Sequence, residues 1–300
     1  MDTVEFIWMN GEFIPWNDAK VHVLSHSLHY GTAVYEGIRF YETDDGKTAA
    51  FRLKEHMDRL YDSAKALKIE IPYEKEELYD AVLENIRKNK IKAGYVRPLV
   101  FYGYGKMGLM PEGAKLNVCI AVWPWGSYLG EDLVKVKIVS VVKMHPKSTV
   151  TTAKISGHYA NSLQAKQEAL AAGFDEALLL DYQGNIAEGP VENLFIVKDN
   201  ELITPKGGNI LEGITRESIM KIAKDNEINV IEKELKVDDL LDADEAFFTG
   251  TAAEVSGIGQ INDIPIGNGE LGPITQKLKT IYTDLIHGKI PEYSDWLTYV

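Results

Sequence analysis

A single lysine, Lys154, lies among small residues in the stretch Thr151–Ala160, which reads T-T-A-K-I-S-G-H-Y-A. A lysine amine becomes a nucleophile only when its charge is suppressed, and its commonest covalent role is a Schiff base with a carbonyl. Most lysines are solvated surface charges, but this stretch lacks the charge alternation of a solvated helix. Tyr159 follows closely and could hydrogen-bond a ring phenolate. The pattern therefore favours covalent carbonyl chemistry at Lys154.

Three later segments carry motifs that are considered together with the lysine stretch. They are I-A-E-G-P-V-E-N-L-F at Ile186–Phe195, L-E-G-I-T-R at Leu211–Arg216 and F-T-G-T-A-A-E at Phe248–Glu254. Each alone is a weak signal, but the combination is specific. With the lysine stretch, the set resembles the signature of the fold-type IV pyridoxal-phosphate enzymes, and specifically the branched-chain amino acid aminotransferases. The resemblance extends over nearly the whole chain. It implies a two-domain architecture of the D-amino acid aminotransferase-like type, with an α+β or mixed α/β composition.

Pyridoxal 5'-phosphate needs a lysine for its aldehyde, an acid at the pyridine nitrogen, a partner for the phenolic oxygen and a phosphate site. The resemblance assigns the aldehyde to Lys154, whose amine would also carry the proton between the substrate Cα and the cofactor C4′. It assigns the ring nitrogen to Glu188 and the phenolic oxygen to Tyr159. A glutamate beside Gly and Pro is more often a loop carboxylate, and Glu192 of the same motif is interpreted as structural.

The predicted phosphate site combines an arginine with the start of a helix. Arg59 lies in H-M-D-R-L and matches the family's phosphate arginine, although it could also be a surface charge at the edge of its helix's apolar stripe. Ile214 and Thr215 open a predicted helix, whose first amides favour anions. Thr251 would add a hydroxyl and an amide.

Substrate selection is predicted from the Y-x-R element at Tyr95 and Arg97. Alternate residues of a strand point to one face, so both side chains should lie together. By resemblance, Arg97 pairs with the distal carboxylate of glutamate, while the amides near Thr251 and Ala252 receive the α-carboxylate. The residues implied to line the apolar pocket are Tyr35, Gly37, Trp125 and Tyr159, and those implied to reach a neighbouring subunit's site are Tyr30, Met107 and Leu109.

The implied activity is transamination between L-leucine, L-isoleucine or L-valine and 2-oxoglutarate by a ping-pong mechanism, in branched-chain amino acid biosynthesis or degradation. The implied partners are branched-chain L-amino acids, L-glutamate, 2-oxo acids and further copies of the chain, as a homodimer or trimer of dimers. D-amino acid aminotransferases and aminodeoxychorismate lyases share the lysine, glutamate and phosphate elements, but Y-x-R and G-T-A-A-E favour the branched-chain group.

Two further alternatives lie outside these aminotransferases and lyases. A catalytically silent binding protein on the same scaffold would have no reason to keep Lys154, Glu188, Tyr159 and Arg59 together. A Schiff-base aldolase would normally use a (β/α)₈ barrel, and the predicted order of strands and helices does not alternate in that way.

The composition of the chain limits the classes of binding partner and the cellular compartment that we expect. The net charge of −13 argues against nucleic acid or an anionic membrane as a partner. The one cysteine, Cys119, allows no intrachain disulfide and fits a reducing compartment. It lies in an apolar strand-like run, which predicts a buried and inert thiol. The N-terminus has no basic region or long apolar run typical of a signal peptide, and no membrane span is predicted. We therefore expect a cytoplasmic protein with no bound metal.

The elements that must position these residues follow from periodicity and turn chemistry. Asn10-Gly11 predicts a hairpin, and the recurrence of Leu53, Met57, Leu60 and Ala64 predicts an amphipathic helix. The predicted helices are 53–68, 75–90, 161–172, 215–224 (capped by Thr215) and 273–287, and the predicted strands are 4–9, 12–16, 21–31, 33–41, 95–102, 116–122, 134–142, 176–181, 193–198, 229–235 and 246–249.

The chain is predicted to divide near its middle. Pro124-Trp125-Gly126-Ser127 and Gly130 mark a break in composition. We expect a small N-terminal α+β domain at 1–122, a linker at 123–132, and a larger C-terminal domain at 133–300 that carries Lys154.

Two motifs point elsewhere and are set aside. Residues Gly103–Gly108 match G-x-G-x-x-G, but a loop and then a strand follow where a dinucleotide site needs a helix. His22, His26 and His29 are close enough to suggest a metal, but no cysteine or aspartate cluster completes a ligand set. Core or site-lining histidines are the better interpretation.

Overall fold

The computed structural model describes residues 3–126, 128–130 and 132–300. The chain forms two units. The first contains the described residues up to Gly126, with Ala153–His158 and Leu285–Val300, and the second contains Tyr159–Asp284 with the described residues from Tyr128 to Thr152. Each unit combines strands with helices, as the predicted fold class requires. Ser127 and Glu131 of the predicted linker lie outside the described residues, and the predicted domain limits stay a prediction.

The first unit is organised around an antiparallel sheet of eight strands. Numbered along the chain, they are β1 (Phe6–Met9), β2 (Glu12–Pro15), β3 (Ala33–Tyr35), β4 (Ile38–Glu42), β5 (Thr48–Phe51), β6 (Gly94–Tyr102), β7 (Leu116–Trp123) and β16 (Leu297–Tyr299). The order across the sheet is β16-β5-β4-β6-β7-β1-β2, and β3 pairs with β6. At Asn10 and Gly11 φ is 52° and 96°, so both central residues of the β1–β2 turn are left-handed and the predicted hairpin is confirmed.

Two helices of this unit bury their apolar faces in its core. They are α2 (Leu53–Ala66) and α3 (Lys75–Asn89), close to the predicted ranges. Leu53, Met57 and Leu60 are fully buried, as their helical spacing predicts. This packing gives α2 a fixed inner face, on which other residues of the helix can also reach the core.

The strand predicted at 21–31 is wrong. The segment contains a short helix, α1 (His26–Tyr30), which ends at Gly31 with φ of 65° and a hydrogen bond from its N–H to the Ser27 carbonyl. The β-branched and aromatic residues suggested a strand, but a left-handed glycine ends one helical turn. Tertiary contacts of His26 hold that turn in place.

The second unit contains another sheet of eight strands. They are β8 (Val134–Ile138), β9 (Glu176–Leu178), β10 (Asn193–Lys198), β11 (Glu201–Pro205), β12 (Val230–Lys233), β13 (Glu245–Gly250), β14 (Glu254–Ile261) and β15 (Ile264–Pro265), and the helices are α4 (Tyr159–Ala171), α5 (Ile214–Asp225), α6 (Val237–Leu241) and α7 (Pro273–Ile286). The order across the sheet is β12-β11-β10-β13-β14-β8-β9, with β15 paired to β14. The strand predicted at 134–142 ends early, at Ile138, and the strands at 201–205 and 254–261 were not predicted.

Two features bear on the excluded classes of function. The G-x-G-x-x-G segment is followed by a loop and then by β7, which pairs antiparallel with β6, so the dinucleotide interpretation fails on structural context. In the part of the chain described above, no helix has the length and apolar character needed to cross a membrane.

Candidate active site

Lys154 is fixed through its backbone. Its N–H donates to Ser63 Oγ at 2.9 Å, and its carbonyl accepts the Tyr35 N–H at 3.2 Å. Ile155 forms a bridge with Val34 of β3. The lysine backbone is therefore held between the inner face of α2 and β3.

The amine of Lys154 lies beside an aromatic ring. Its Nζ is 5.0 Å from the ring centroid of Tyr35, and the residue is half-buried. The Arg97 guanidinium carbon lies 4.6 Å from the same ring. Tyr35 thus connects the predicted nucleophile with the predicted substrate arginine.

Arg97 lies within a group of aromatic side chains that we call the aromatic cluster: Tyr35, Tyr95, Trp123 and Trp125. Its guanidinium carbon is 5.3 Å from the ring of Tyr95 and 5.9 Å from that of Trp123. Arg97 Nη2 donates to Tyr95 Oη at 3.4 Å, which confirms that Y-x-R places both side chains on one face. The Trp125 ring contacts the Tyr95 ring, with 4.5 Å between the two ring centroids. An apolar wall with one embedded cation results.

Gly37 leaves room for this cluster. A Cβ built at Gly37 would lie 1.7 Å from Tyr95 Oη, so any side chain there would displace the tyrosine. Trp123 pairs across the sheet with Tyr95, and Arg39 occupies the position opposite Tyr95 on β4. Neither Trp123 nor Arg39 was predicted from the sequence, because only the strand register with Tyr95 places them beside it.

Arg59 lies in a buried network with Glu36 and His56. Its Nε and Nη2 donate to the two carboxylate oxygens of Glu36 at 2.6 and 2.9 Å, and His56 Nδ1 lies 2.7 Å from Glu36 Oε2. Burial opposes ionisation of Glu36, but the Arg59 charge and the two hydrogen-bonding partners outweigh it and hold the pKa of Glu36 well below its usual range. Burial lowers the pKa of His56. The predicted phosphate arginine is therefore oriented by a carboxylate that sequence reasoning missed, although Glu36 stands between Tyr35 and Gly37.

In the second unit, Glu188 is a buried carboxylate surrounded by donors. Asn193 Nδ2 donates to Oε2 at 3.0 Å, and the Leu211 N–H lies 3.1 Å from the same oxygen. Lys143 forms an ion pair with Oε1. Asn193 comes from the same E-N-L-F motif, whereas nothing in the sequence pointed to Lys143. The arrangement fixes the position and the orientation of the carboxylate.

The predicted phosphate helix begins one residue early. Gly213 is the N-cap of α5 and no side chain caps the helix, so the expected Thr215 cap is wrong. Ile214 and Thr215 are buried in the first turn, where backbone N–H groups have no partner within the helix. A Cβ at Gly213 would lie 2.0 Å from Asn193 Oδ1, so the helix start packs directly against the Glu188 network.

Thr251 and Ala252 lie in the turn between β13 and β14 and are half-buried. The hydroxyl of the neighbouring Thr249 is buried and has no hydrogen-bond partner among the described residues. Such an atom is uncommon in a folded protein and is consistent with a ligand nearby. Tyr159, the first residue of α4, is half-buried.

Tyr30, Met107 and Leu109 lie on the surface of the first unit. All three are exposed, Leu109 to 76%. His26 holds their segments together: its Nε2 lies 3.0 Å from the carbonyls of Gly108 and Leu109, and its Nδ1 lies 2.8 Å from Thr32 Oγ1. The described residues contain no group of three or more His, Cys, Asp or Glu placed to hold a metal ion.

The residues present fit pyridoxal phosphate. Among the groups that it requires, the first unit contains an amine beside an aromatic ring and an oriented arginine, and the second contains a buried carboxylate and a helix start that favours an anion. Thr249, with its buried hydroxyl, adds an unused polar atom beside the turn that carries Thr251.

Comparison with known proteins identifies the family. Residues 33–261 match the model of the family described as amino-transferase class IV. The chain is 45% identical over 298 residues to the branched-chain-amino-acid aminotransferase of Pseudomonas aeruginosa, covering 98% of this chain and 97% of that protein. It is 42% identical over 302 residues to that of Escherichia coli K12, covering 99% and 97%.

Solved structures agree. The T.th. branched-chain amino acid aminotransferase with pyridoxamine 5'-phosphate superposes with a TM-score of 0.96 at 45% identity, covering 100% of this chain and 99% of that one. The same protein has been solved with N-(5'-phosphopyridoxyl)-L-glutamate and with 4-methylvaleric acid, each at a TM-score of 0.94 and 45% identity and covering 99% and 98% of the two chains. The chain belongs to the class IV aminotransferase family and, within it, to the pyridoxal-phosphate-dependent branched-chain amino acid aminotransferases.

Proposed function

We propose that this aminotransferase moves the amino group between L-leucine, L-isoleucine or L-valine and 2-oxoglutarate in two half-reactions, as branched-chain amino acid metabolism requires. The observation that carries the proposal is the Tyr35 ring, which lies 5.0 Å from Lys154 Nζ and 4.6 Å from the guanidinium carbon of Arg97. A reactive amine and a selective cation thus share one apolar wall.

Pyridoxal phosphate, when bound, supplies the electron sink that makes the substrate Cα proton acidic. Lys154 would hold the cofactor aldehyde, and its amine would then take and return the proton at the substrate Cα. Glu188 accepts the ring N–H, while Asn193, Lys143 and the Leu211 N–H keep its carboxylate in place.

The other cofactor contacts are assigned from the predicted residues. Tyr159 would hydrogen-bond the phenolic oxygen. Arg59 and Thr251 would bind the phosphate, together with the amides of Ile214 and Thr215 at the start of α5, where the helix dipole favours an anion.

Dual substrate specificity follows from the aromatic cluster. Leucine, isoleucine and valine bury their side chains against Tyr35, Tyr95 and Trp125, while glutamate extends its distal carboxylate to Arg97. The amides of the turn at Thr251 and Ala252 receive the α-carboxylate common to all four. The glutamate adduct and 4-methylvaleric acid bound by the T.th. protein represent the same two substrate classes and support this assignment.

The test is the visible absorption spectrum of the purified protein loaded with pyridoxal phosphate. We expect a yellow band that changes on adding L-leucine or L-glutamate but not D-alanine. Lys154→Ala should abolish turnover and remove the substrate-dependent change, while cofactor still binds through its phosphate. A response to D-alanine alone would favour a D-amino acid aminotransferase. Absence of any band would support a silent binding protein, and normal turnover by Lys154→Ala would refute the assignment.

We also propose that copies of this chain associate as a homodimer or a trimer of dimers through the exposed apolar segments that contain Tyr30, Met107 and Leu109. Exposure of these apolar side chains to water is unfavourable, and His26 Nε2 lies within hydrogen-bond distance of the Leu109 carbonyl. Leu109→Asp should lower the mass measured by light scattering. Ile264→Asp, at an exposed apolar position of the second unit, is the control. Equal masses for wild type and Leu109→Asp would remove this surface from the interface.

We also propose that the protein is located in the cytoplasm. The single thiol, Cys119, has its pKa raised by burial to about 11, which supports an inert residue in a reducing cytoplasm.

Limited proteolysis tests the predicted domain limits at 1–122, 123–132 and 133–300. If they are correct, the first protease cleavage should fall within the linker, 123–132. Cleavage first within α2 or α4 would contradict it.

A further inference from the structure

Helix α2 carries more of the site than Arg59. One helical turn after Arg59, on the same face, stands Ser63, and its side chain is 1% exposed. The spacing is i, i+4, which places both residues side by side on the inner face of the helix. A buried hydroxyl on a helix often bonds a carbonyl of its own preceding turn, but the Ser63 hydroxyl bonds a segment that is distant along the chain.

Ser63 Oγ accepts the backbone N–H of Lys154 at 2.9 Å. On the other side of the same residue, the Lys154 carbonyl accepts the Tyr35 N–H. Just beyond, the N–H of Gly157 donates to the Gly31 carbonyl at 3.0 Å. A Cβ at Gly31 would lie 2.7 Å from Gly157 Cα, so the two backbones touch.

The hydrogen bond from Lys154 to Ser63 ties the lysine backbone to the helix that carries the phosphate arginine. The aldehyde and the phosphate-bearing methylene are carried by neighbouring carbons of one rigid ring, so the protein must hold the two residues that anchor them at a set separation. Both anchors are supported by α2: Arg59 belongs to it, and Lys154 is attached to it through Ser63. A reacting group misplaced by about 1 Å loses much of its rate advantage.

We infer that Ser63 is a positioning residue for Lys154, and that α2 sets the separation between the lysine and the phosphate arginine. The inference rests on the proposed function for its consequence in catalysis, but not for its structural content. Loss of the hydroxyl leaves a sheltered N–H without its partner and frees the Lys154 backbone to move away from α2. Ser63 touches no reacting atom and acts through Lys154.

The experiment compares amide hydrogen exchange in the cofactor-free protein, read by mass spectrometry on peptides that contain 153–158. Ser63→Ala should speed exchange there by about tenfold, the equivalent of one lost hydrogen bond. The variant will fold, because alanine is the best helix former and the change removes a single heavy atom. Asn85→Ala is the control. It removes a buried amide on α3 that donates to the Ile120 carbonyl at 2.7 Å, far along the chain from Lys154.

A second measurement follows the rate at which each cofactor-free variant gains the visible band on adding pyridoxal phosphate. Ser63→Ala should gain the band several-fold more slowly and lower kcat more than it raises KM, while Ser63→Thr, which keeps the hydroxyl, should move both values back toward wild type. Unchanged exchange at 153–158 in Ser63→Ala, or an equal increase there in Asn85→Ala, would overturn the inference. If wild type gave no band at all while the exchange results held, the proposed function would fail and the Ser63–Lys154 contact would stand.

Discussion

Glu36 and Arg59 form a two-point ion pair inside the first unit, with Nε 2.6 Å from Oε1 and Nη2 2.9 Å from Oε2. Glu36 is fully buried and the Arg59 side chain is 15% exposed. The parallel geometry fixes the plane of the guanidinium as well as its position. The carboxylate therefore fixes the orientation of Arg59, and His56, also on α2, contacts the same carboxylate.

Glu36→Gln should weaken cofactor binding and destabilise the fold. The amide keeps the shape but removes the charge that Arg59 and His56 stabilise, leaving a mostly buried guanidinium without its counter-charge. Breaking such a pair costs on the order of 3 kcal/mol. The measurements are the free energy of unfolding in urea and the dissociation constant of pyridoxal phosphate.

Asp62→Asn is the matched control, since it breaks an exposed pair with Lys65 on the same helix. It should change the free energy of unfolding by less than about 1 kcal/mol. An equal loss in the free energy of unfolding for both variants would show that the buried Glu36–Arg59 pair stabilises the fold no more than an exposed ion pair does. Because the pKa of Glu36 is lowered on folding, its contribution should be present above about pH 4 and decline as the pH falls through the folded value.

Arg97→Ala should separate the two substrate classes. Glutamate loses a desolvated, charge-assisted hydrogen bond, so kcat/KM for glutamate should fall about 100-fold. Leucine makes no such bond and should lose far less, because Tyr35, Tyr95 and Trp125 remain to pack against it. The measurement is kcat/KM for both amino acids in one assay.

Arg97→Lys is the companion variant. It keeps a positive charge but loses the planar fork that contacts the rings of the aromatic cluster. We expect it to recover part of the glutamate activity. Parallel losses for leucine and glutamate in Arg97→Ala would mean that Arg97 does not bind the distal carboxylate.

Glu188→Gln should slow the step in which the substrate Cα loses its proton. A neutral amide cannot hold the pyridine nitrogen protonated, and it also leaves Lys143 without its ion-pair partner. The single-turnover rate with L-leucine should fall about 100-fold, while the cofactor still binds through its phosphate. Glu227→Gln, at a surface position after α5, is the control. An unchanged single-turnover rate would remove Glu188 from the ring nitrogen.

Local patterns predicted what local geometry determines. The spacing of Leu53, Met57 and Leu60 predicts α2, and strand alternation predicts that Tyr95 and Arg97 share a face; both are confirmed. The segment at 21–31 was assigned wrongly because its helical turn depends on Gly31 and on contacts of His26 with a distant loop.

The missed site residues share a cause. Glu36 meets Arg59 across 23 residues of chain, Ser63 meets Lys154 across 91, and Lys143 meets Glu188 across 45. Each is a common residue type with no local signature, and its role exists only once the strands and helices are paired. Only missed residues that lie inside a family motif, such as Asn193 beside Glu192, could have been predicted from the sequence.

Glu192→Gln should remove a pH dependence of stability that the wild type shows. Glu192 is 2% exposed, its Oε1 has no hydrogen-bond partner among the described residues, and its neighbour Glu176 is fully buried and paired with Lys166 at 2.7 Å. Burial, and then the charge of Glu176, raise the pKa of Glu192 well above its usual range. A proton on Glu192 gives it a hydrogen bond to donate to Glu176. Burial raises the pKa of Glu176 as well, and its ion pair with Lys166 opposes that rise.

The raised pKa of Glu192 determines the direction in which stability changes with pH. Above about pH 4.3 an unfolded glutamate is ionised while folded Glu192 keeps its proton, so folding binds a proton and stability falls as the pH rises, by up to about 1.4 kcal/mol per pH unit until the folded pKa is reached. The other titratable groups near Glu192 are Glu188, which is paired with Lys143, and Tyr128, whose pKa is raised by burial so that its phenol stays neutral. Glutamine mimics the protonated acid, so Glu192→Gln should flatten the urea stability curve above about pH 5. Glu176→Gln should instead destabilise the fold at every pH, because it removes the anion that pairs with Lys166. Identical curves for wild type and Glu192→Gln would place the proton elsewhere.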